Sequence, residues 1–231
     1  MSHILAELEE LKKREEVIHT NPFIVNPQAL IFLIAGISGV GKSTIVRAIV
    51  KTTILGKTIK FVITHTTRKE RYNEQTGIEI NGVHYFFISV EEFLRLKDRG
   101  YFAEWEELFG KDCFYGTSFN QLYEAASNYG YGITDIDVLG AKALKDLFPN
   151  NIHTIFVAPQ SEKQAVAQLE LRAKQEAVSE LEVSKRMERF KLEMSHAKDF
   201  DSIVTSVAGC PEHALECVRQ IINDKIKNRL E

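Results

Sequence analysis

Gly36-Ile37-Ser38-Gly39-Val40-Gly41-Lys42-Ser43-Thr44 is the stretch whose reading decides the fold. It fits G-x-x-x-x-G-K-[ST], the loop that wraps a phosphate chain. Its flanks agree. Ala29 to Ala35 is a continuous apolar run of the length expected for a buried parallel strand. Thr44 to Ile54 carries Ile45, Ala48, Ile49 and Thr52 at helical spacing. An ordinary glycine-rich turn needs neither the strand before it nor the helix after it.

The residue types follow from the task. Glycines let backbone N–H groups turn inward around an anion. The helix behind adds the positive end of its dipole. In such a loop the lysine reaches the β- and γ-phosphates of a nucleotide, and the following hydroxyl ligates Mg²⁺. The candidate ATP-binding residues are therefore Gly36, Ser38, Gly39, Gly41, Lys42, Ser43 and Thr44. Lys42 is also the first catalytic candidate, and Ser43 the first Mg²⁺ ligand.

Bulk properties narrow the rest. A chain of 231 residues with 44% apolar content suits one domain carrying insertions. The net charge is −3, so no general basic field draws nucleic acid, and any anion site has to be local. Cys113, Cys210 and Cys217 are odd in number and lack ligand spacing, as expected of reduced thiols in a cytoplasmic protein. No signal-peptide core and no membrane-length apolar run stand in the sequence, so no membrane partner is expected.

Taken in order, residues 2–19 read as a charged amphipathic helix with Ile4, Leu8, Leu11 and Ile18 on one stripe. A surface helix packed on the domain is the plain reading, and a helix that makes a homodimer the sharper one. Asn21-Pro22 and Asn26-Pro27 end it. Thr58 to His65 reads as a second strand. Arg68 and Arg71 follow it, three apart; they suit either a phosphate clamp or a solvated basic turn. Thr76-Gly77 and Asn81-Gly82 are turn signals, the latter that of a hairpin. His84 to Ile88 reads as a strand, Ser89 to Glu92 as a capping box, and Gly100 as the stop of that helix. Phe102 to Glu107 and Phe114 to Thr117 read as short strands. Ser118 caps a helix running to about Tyr129. The middle block is thus expected to be a small, largely antiparallel insertion.

Gly132 to Asp137 returns to the parallel pattern and ends in two carboxylates, one of which suits the acidic side of a Mg²⁺ site. A helix (138–148) and the strand His153 to Ala158 follow. Residues 161–198 are helical in pattern, with a second capping box at Ser179 to Glu182; two charged helices here suit a lid as well as a packed hairpin. Asp201 to Val207 reads as a last strand. Pro211 to Leu230 reads as a terminal helix with Leu215, Val218 and Ile222 facing inward. The seven histidines are scattered and none is given a catalytic role.

The order of these stretches resembles the guanylate kinase family from about Leu30 to Val207. The phosphate loop is followed by Thr-Thr-Arg-x-x-Arg (Thr66–Arg71), Tyr-Phe-Phe (Tyr85–Phe87), Phe-x-Glu-Trp (Phe102–Trp105), Tyr-Gly-Thr (Tyr115–Thr117) and Asp-Ile-Asp-x-x-Gly (Asp135–Gly140). Each is weak alone; the series is specific. The resemblance implies an α/β fold, the P-loop nucleoside monophosphate kinase fold, with a parallel core (29–65, 132–160 and 199–231), a mixed GMP-binding insertion (66–131) and a helical lid (161–198). Residues 1–28 stand before this domain as a helical extension. It implies transfer of a phosphoryl group from Mg-ATP to GMP, and to dGMP. Position by position, it implies that Arg68, Arg71, Tyr85 and Tyr115 hold the acceptor phosphate. Glu104, Thr117, Asp137 and Thr64 would read guanine, Arg172 and Arg186 would reach the ATP phosphates from the lid, and Asp135 would partner Ser43 at Mg²⁺.

Those roles make chemical sense. Guanine presents N–H donors at N1 and N2, and an ionised glutamate offers only acceptors. Adenine would turn a lone pair toward that carboxylate. GMP is mostly dianionic at neutral pH, so the nucleophile needs no general base, in keeping with the absence of a histidine constellation. Three departures stand out. Gln168 occupies a lid position where the family usually has arginine, the segment from Arg71 to Tyr85 is longer than usual, and so is the loop before Tyr115. Two rivals are weighed: the same fold with a ribose phosphate as acceptor, and a non-catalytic interaction module. Intact Glu104, Thr117 and Asp137 speak against the first, and intact Gly36, Gly41, Lys42 and Ser43 against the second.

Overall fold

The computed structural model describes residues 21–24, 26–73, 77–108, 112–161, 163, 165–167, 180–207 and 210–231. The expected N-terminal helix, with its dimer reading, and part of the expected lid, residues 168–179 with Gln168 and Arg172, lie outside them.

In chain order, β1 (Leu30–Gly36) leads through the glycine loop into α1 (Lys42–Val50). A tight hairpin of β2 (Thr53–Ile54) and β3 (Lys57–Thr58) precedes β4 (Lys60–Phe61). Next come β5 (His65–Thr66), β6 (Tyr72–Asn73), β7 (Gly77–Ile78), β8 (Phe86–Phe87), α2 (Val90–Asp98), β9 (Phe102–Glu107), β10 (Phe114–Ser118) and α3 (Phe119–Glu124), which runs on as a π turn, Ala125–Tyr129. The chain ends with β11 (Tyr131–Asp135), α4 (Val138–Leu147), β12 (Ile152–Pro159), α5 (Glu180–Ser195), β13 (Ser202–Ser206) and α6 (Pro211–Leu230). These elements form two units. The core unit is Leu30–Phe61 with Tyr131–Glu231; the insertion unit is Val62–Gly130 with the chain up to Ala29.

The core unit is a parallel sheet in the order β13-β12-β1-β11-β4. β1 is buried at all 7 positions, so its sequence is uniformly apolar instead of alternating. Phe32, Ile34, Ile133, Ile155 and Val157 pack with Ile45, Val46 and Ile49 of α1 and with Val218, Ile222 and Ile226 of α6. Leu215 joins the margin of this cluster and Ala214 its interior. Each fully buried large side chain contributes about 1.5–3 kcal/mol.

The insertion unit is a mixed sheet in the order β8-β5-β10-β9, antiparallel except where β5 meets β8. Its core is aromatic. Phe93 stacks on Phe102 at 4.5 Å and on Phe114 at 5.2 Å. Gly116 lies against this stack: a Cβ there would come within 2.9 Å of the Phe102 ring. Ser89 caps α2, its Oγ accepting the Glu92 N–H at 3.1 Å, and Gly100 ends it at φ 69°. Asn26 ties the chain start to this unit by donating to the Ala126 carbonyl at 3.0 Å.

Two local expectations are corrected. Thr58 to His65 is not one strand. Lys57–Thr58 folds back on β2, Lys60–Phe61 joins the core sheet, and His65–Thr66 joins the insertion sheet. The chain passes from one sheet to the other within this stretch, which its apolar pattern does not reveal. The hairpin signal at Asn81-Gly82 is a turn, and the hairpin is β6–β7. Asn81 Oδ1 accepts the Phe87 N–H at 2.8 Å, and β8 is only Phe86–Phe87.

Candidate active site

In the core unit the phosphate loop is shaped by two glycines. Gly36 sits at φ 141°, where a Cβ would collide with the Val157 carbonyl of β12. Gly41 opens α1 in the left-handed region, at φ 97°. Lys42 Nζ donates to the carbonyls of Gly36 (2.6 Å) and Ile37 (2.9 Å), so the cation lies over its own loop. Ser43 and Thr44 are exposed in the first turn of α1, as is Gly39 in the loop, and Ser38 is half-buried. A cavity of about 160 Å³ opens beside them, lined by Val40, Gly41, Thr44, Ile45, Ser206 and Leu215 among others.

β11 lies beside β1, with Asp135 opposite Ile34. The ladder thereby carries the Asp135 carboxylate to the loop, where Ser43 Oγ donates to its Oδ2 at 2.5 Å. A hydroxyl and a carboxylate are hard oxygen donors of the kind Mg²⁺ takes. Among the described residues no three His, Cys, Asp or Glu side chains converge on a metal position. The pair therefore suits an ion that is otherwise held by phosphate oxygens and water.

Asp137 caps α4: its Oδ1 accepts from the N–H groups of Leu139 (2.7 Å) and Gly140 (2.9 Å). Arg189 of α5 stands 3.8 Å from the same carboxylate and donates to Glu193 at 3.1 Å. Glu193 is buried. Burial raises its pKa, while Lys42 and Arg189 pull it back down. Sequence reading passed over Arg189 and Glu193. The available signal was an acid three residues after Phe190, on the buried side of the helix.

In the insertion unit, Arg68 Nε donates to the Tyr115 hydroxyl at 2.9 Å, and its guanidinium lies 4.8 Å from the centre of the Tyr85 ring. The Tyr85 and Tyr115 rings meet edge to face at 6.0 Å. Glu79, absent from the expected site, holds Arg68 in a two-pronged ion pair at 2.5 and 2.8 Å and accepts the Arg71 backbone N–H at 2.8 Å. Burial would lower the Arg68 pKa, but the carboxylate more than offsets it and the pKa is raised. Burial raises the pKa of the Tyr115 hydroxyl.

On the neighbouring ladder Glu104 and Thr117 are direct cross-strand partners. Both are buried, and Thr117 Oγ1 has no hydrogen-bond partner among the described residues. A buried hydroxyl left so is costly unless something else engages it. Thr64, also buried, precedes β5. Of the four residues expected to read guanine, three therefore lie in the insertion unit, while Asp137 belongs to the core unit. Arg186 lies in α5, where its backbone alone is described.

A phosphate loop between a buried parallel strand and a helix, with a hydroxyl–carboxylate pair beside it, defines a P-loop kinase fold. The guanylate kinase family model matches residues 28–225. A guanylate kinase of Haemophilus ducreyi is 34% identical over 176 residues, covering 75% of this chain and 79% of its own. One of Mycoplasma genitalium is 31% identical over 205 residues, covering 89% and 80%. The chain belongs to the guanylate kinase family. In solved structures, a guanylate kinase from Anaplasma phagocytophilum shares the fold, with TM-score 0.63 at 23% identity over 85% of this chain and 86% of its own.

Proposed function

We propose that the chain transfers the γ-phosphoryl group of ATP to GMP, giving ADP and GDP, with dGMP as a second acceptor. The observation that carries the acceptor is the pairing of Glu104 with Thr117, a buried acceptor opposite a buried hydroxyl that has no partner among the described residues. The N1 and N2 hydrogens of guanine meet the Glu104 carboxylate, and the Thr117 and Thr64 hydroxyls donate to O6 and N7. A site built this way rejects adenine, whose N1 lone pair would face Glu104.

The phosphates are handled by cations and backbone. Arg68, Arg71, Tyr85 and Tyr115 hold the GMP phosphate. Residues 66–131 are the GMP-binding insertion and 161–198 the lid. Gly36, Ser38, Gly39, Gly41 and Thr44 cradle the ATP phosphates. Lys42 turns from the loop carbonyls to the phosphate oxygens. Arg172 and Arg186 neutralise charge from the lid, whose closure excludes water. Asp137 keeps α4 capped and addresses guanine through the rest of its carboxylate. Ser43 and Asp135 would hold Mg²⁺, whose chemistry there would be to offset charge on the β- and γ-phosphates. No residue has to take a proton from GMP, because its phosphate is already a dianion; the chain supplies alignment and charge.

A ribose phosphate offers Glu104 no paired N–H donors, and a non-catalytic module has no need of Lys42 and Ser43. Neither rival is favoured. A cytoplasmic setting fits the three free cysteines. No described helix is long and apolar enough to cross a membrane. A homodimer through residues 2–19 completes the reading, and sedimentation of the chain with and without them tests it.

An ADP-release assay tests the reaction, with Mg-ATP and GMP, dGMP, AMP, CMP, UMP or a ribose phosphate, and Lys42→Ala as the blank. Turnover is expected with GMP and dGMP alone, and EDTA is expected to stop it. Equal turnover with AMP, or turnover in the blank, would sink the assignment.

A further inference from the structure

Arg68 has five N–H donors, and four are engaged within the protein. Nε goes to the Tyr115 hydroxyl, Nη1 to the Lys69 carbonyl and Glu79 Oε2, and Nη2 to Glu79 Oε1. Glu79 thus grips the end of the fork. The pair is nearly closed off from solvent, with side chains 9% and 15% exposed. The hairpin β6–β7 brings the acid there: the Glu79 N–H donates to the Arg71 carbonyl at 3.0 Å, and the Glu79 carboxylate accepts the Arg71 N–H in return.

The fork is planar, so its geometry fixes what is left. The remaining N–H, on Nη2, lies on the edge shared with Nε, next to the Tyr115 hydroxyl. That hydroxyl accepts from Nε, so its own proton points elsewhere. The Tyr115 proton can rotate to the side of the remaining Nη2 N–H, and Glu79 fixes where that N–H points. If Glu79 were only a substitute for phosphate, its departure would leave the Arg71 N–H without the partner it has here.

We propose that Glu79 is a positioning residue of the acceptor-phosphate site: it holds the end of the Arg68 fork throughout, so that the remaining Nη2 N–H of Arg68 and the Tyr115 hydroxyl meet one phosphate together. This rests on the reading of Arg68, Arg71, Tyr85 and Tyr115 as that site.

The test compares Glu79→Gln and Glu79→Ala with the parent chain by KM for GMP, KM for Mg-ATP and the inhibition constant of guanosine, which lacks the phosphate. Loss of one charge-assisted contact predicts that the KM for GMP rises about tenfold in Glu79→Gln and further in Glu79→Ala, with ATP and guanosine values within about twofold of the parent. A parallel loss for GMP and guanosine would reduce Glu79 to a fold-holding residue and overturn the proposal. A lower KM for GMP in Glu79→Ala would overturn it the other way, making the acid a plug that substrate expels. Glu79→Gln keeps the shape should the alanine variant fail to fold. Tyr115→Phe and Arg71→Ala separate the two levels. If neither weakens GMP, the acceptor-site reading fails; if both do while the Glu79 variants do not, only the positioning role fails.

Discussion

Thr117 makes the base-reading proposal testable from two sides. Its hydroxyl is buried without a described partner, so removing it relieves a cost in the free protein and creates one in the complex. Thr117→Val is expected to stabilise the free chain by about 1 kcal/mol in thermal unfolding while raising the KM for GMP about tenfold. Destabilisation with unchanged KM would show that the hydroxyl serves the fold. Glu104→Gln exchanges one acceptor for a donor facing guanine N–H, and its KM for GMP is expected to rise about a hundredfold with little change for ATP. At this scale the sequence was readable where chemistry dictates spacing. Lys42 and Ser43 follow from the loop motif alone, whereas Arg68, Tyr115 and Glu104 needed the whole series of motifs. Glu79 was not readable, because a single acid between Ile78 and Ile80 looks like any exposed loop residue until the hairpin turns it back onto Arg68.

Single strands and helices carry their own tests. Ser89→Ala removes the cap of α2 and is expected to cost about 1 kcal/mol in thermal unfolding. His65 in β5 and His153 in β12 are both held neutral by burial, at about 3 and about 4. Both values lie below the unfolded value of 6.5, so the unfolded chain binds the extra protons. Their stability contribution is complete above about pH 6.5 and falls with acid, by up to about 1.4 kcal/mol per pH unit for each histidine. The Glu79 carboxylate, whose pKa is lowered, adds its own loss only in stronger acid. Denaturant melts between pH 5 and 6.5 check this, and His65→Phe, set among Phe86, Tyr101 and Phe102, is expected to flatten the slope. Elements bounded by strong punctuation were legible: the capping box opened α2 and Gly100 closed it. The stretch from Thr58 to His65 was not, since period and composition do not say that a chain changes sheets midway.

For the molecule as a whole, the division of the site residues between the units predicts hydrogen-exchange footprints. GMP alone is expected to protect amides within residues 62–130 and around Asp137, and a non-hydrolysable ATP analogue those around 36–44 and Asp135. Protection of the loop by GMP alone would contradict the division. The parallel core was legible because a phosphate loop demands it, and the insertion because its strands are short and turn-bounded. What no local pattern encodes is the boundary: residues 62–65, expected in the core, belong to the insertion unit.

β4 and β11 are neighbours in the core sheet, with Lys60 beside Gly132 and Phe61 beside Ile133. The strand that delivers the chain to residue 62 therefore stands next to the strand that collects it at residue 131. The two strands are parallel, so the chain leaves past Phe61 at one end and comes back to the other end of the neighbouring strand at Tyr131: everything between is a single crossover, and no other strand pairing of the core sheet interrupts it. The acceptor module is thus a cassette. Such a layout lets what a kinase phosphorylates be exchanged as a block, while the machinery that grips ATP stays untouched.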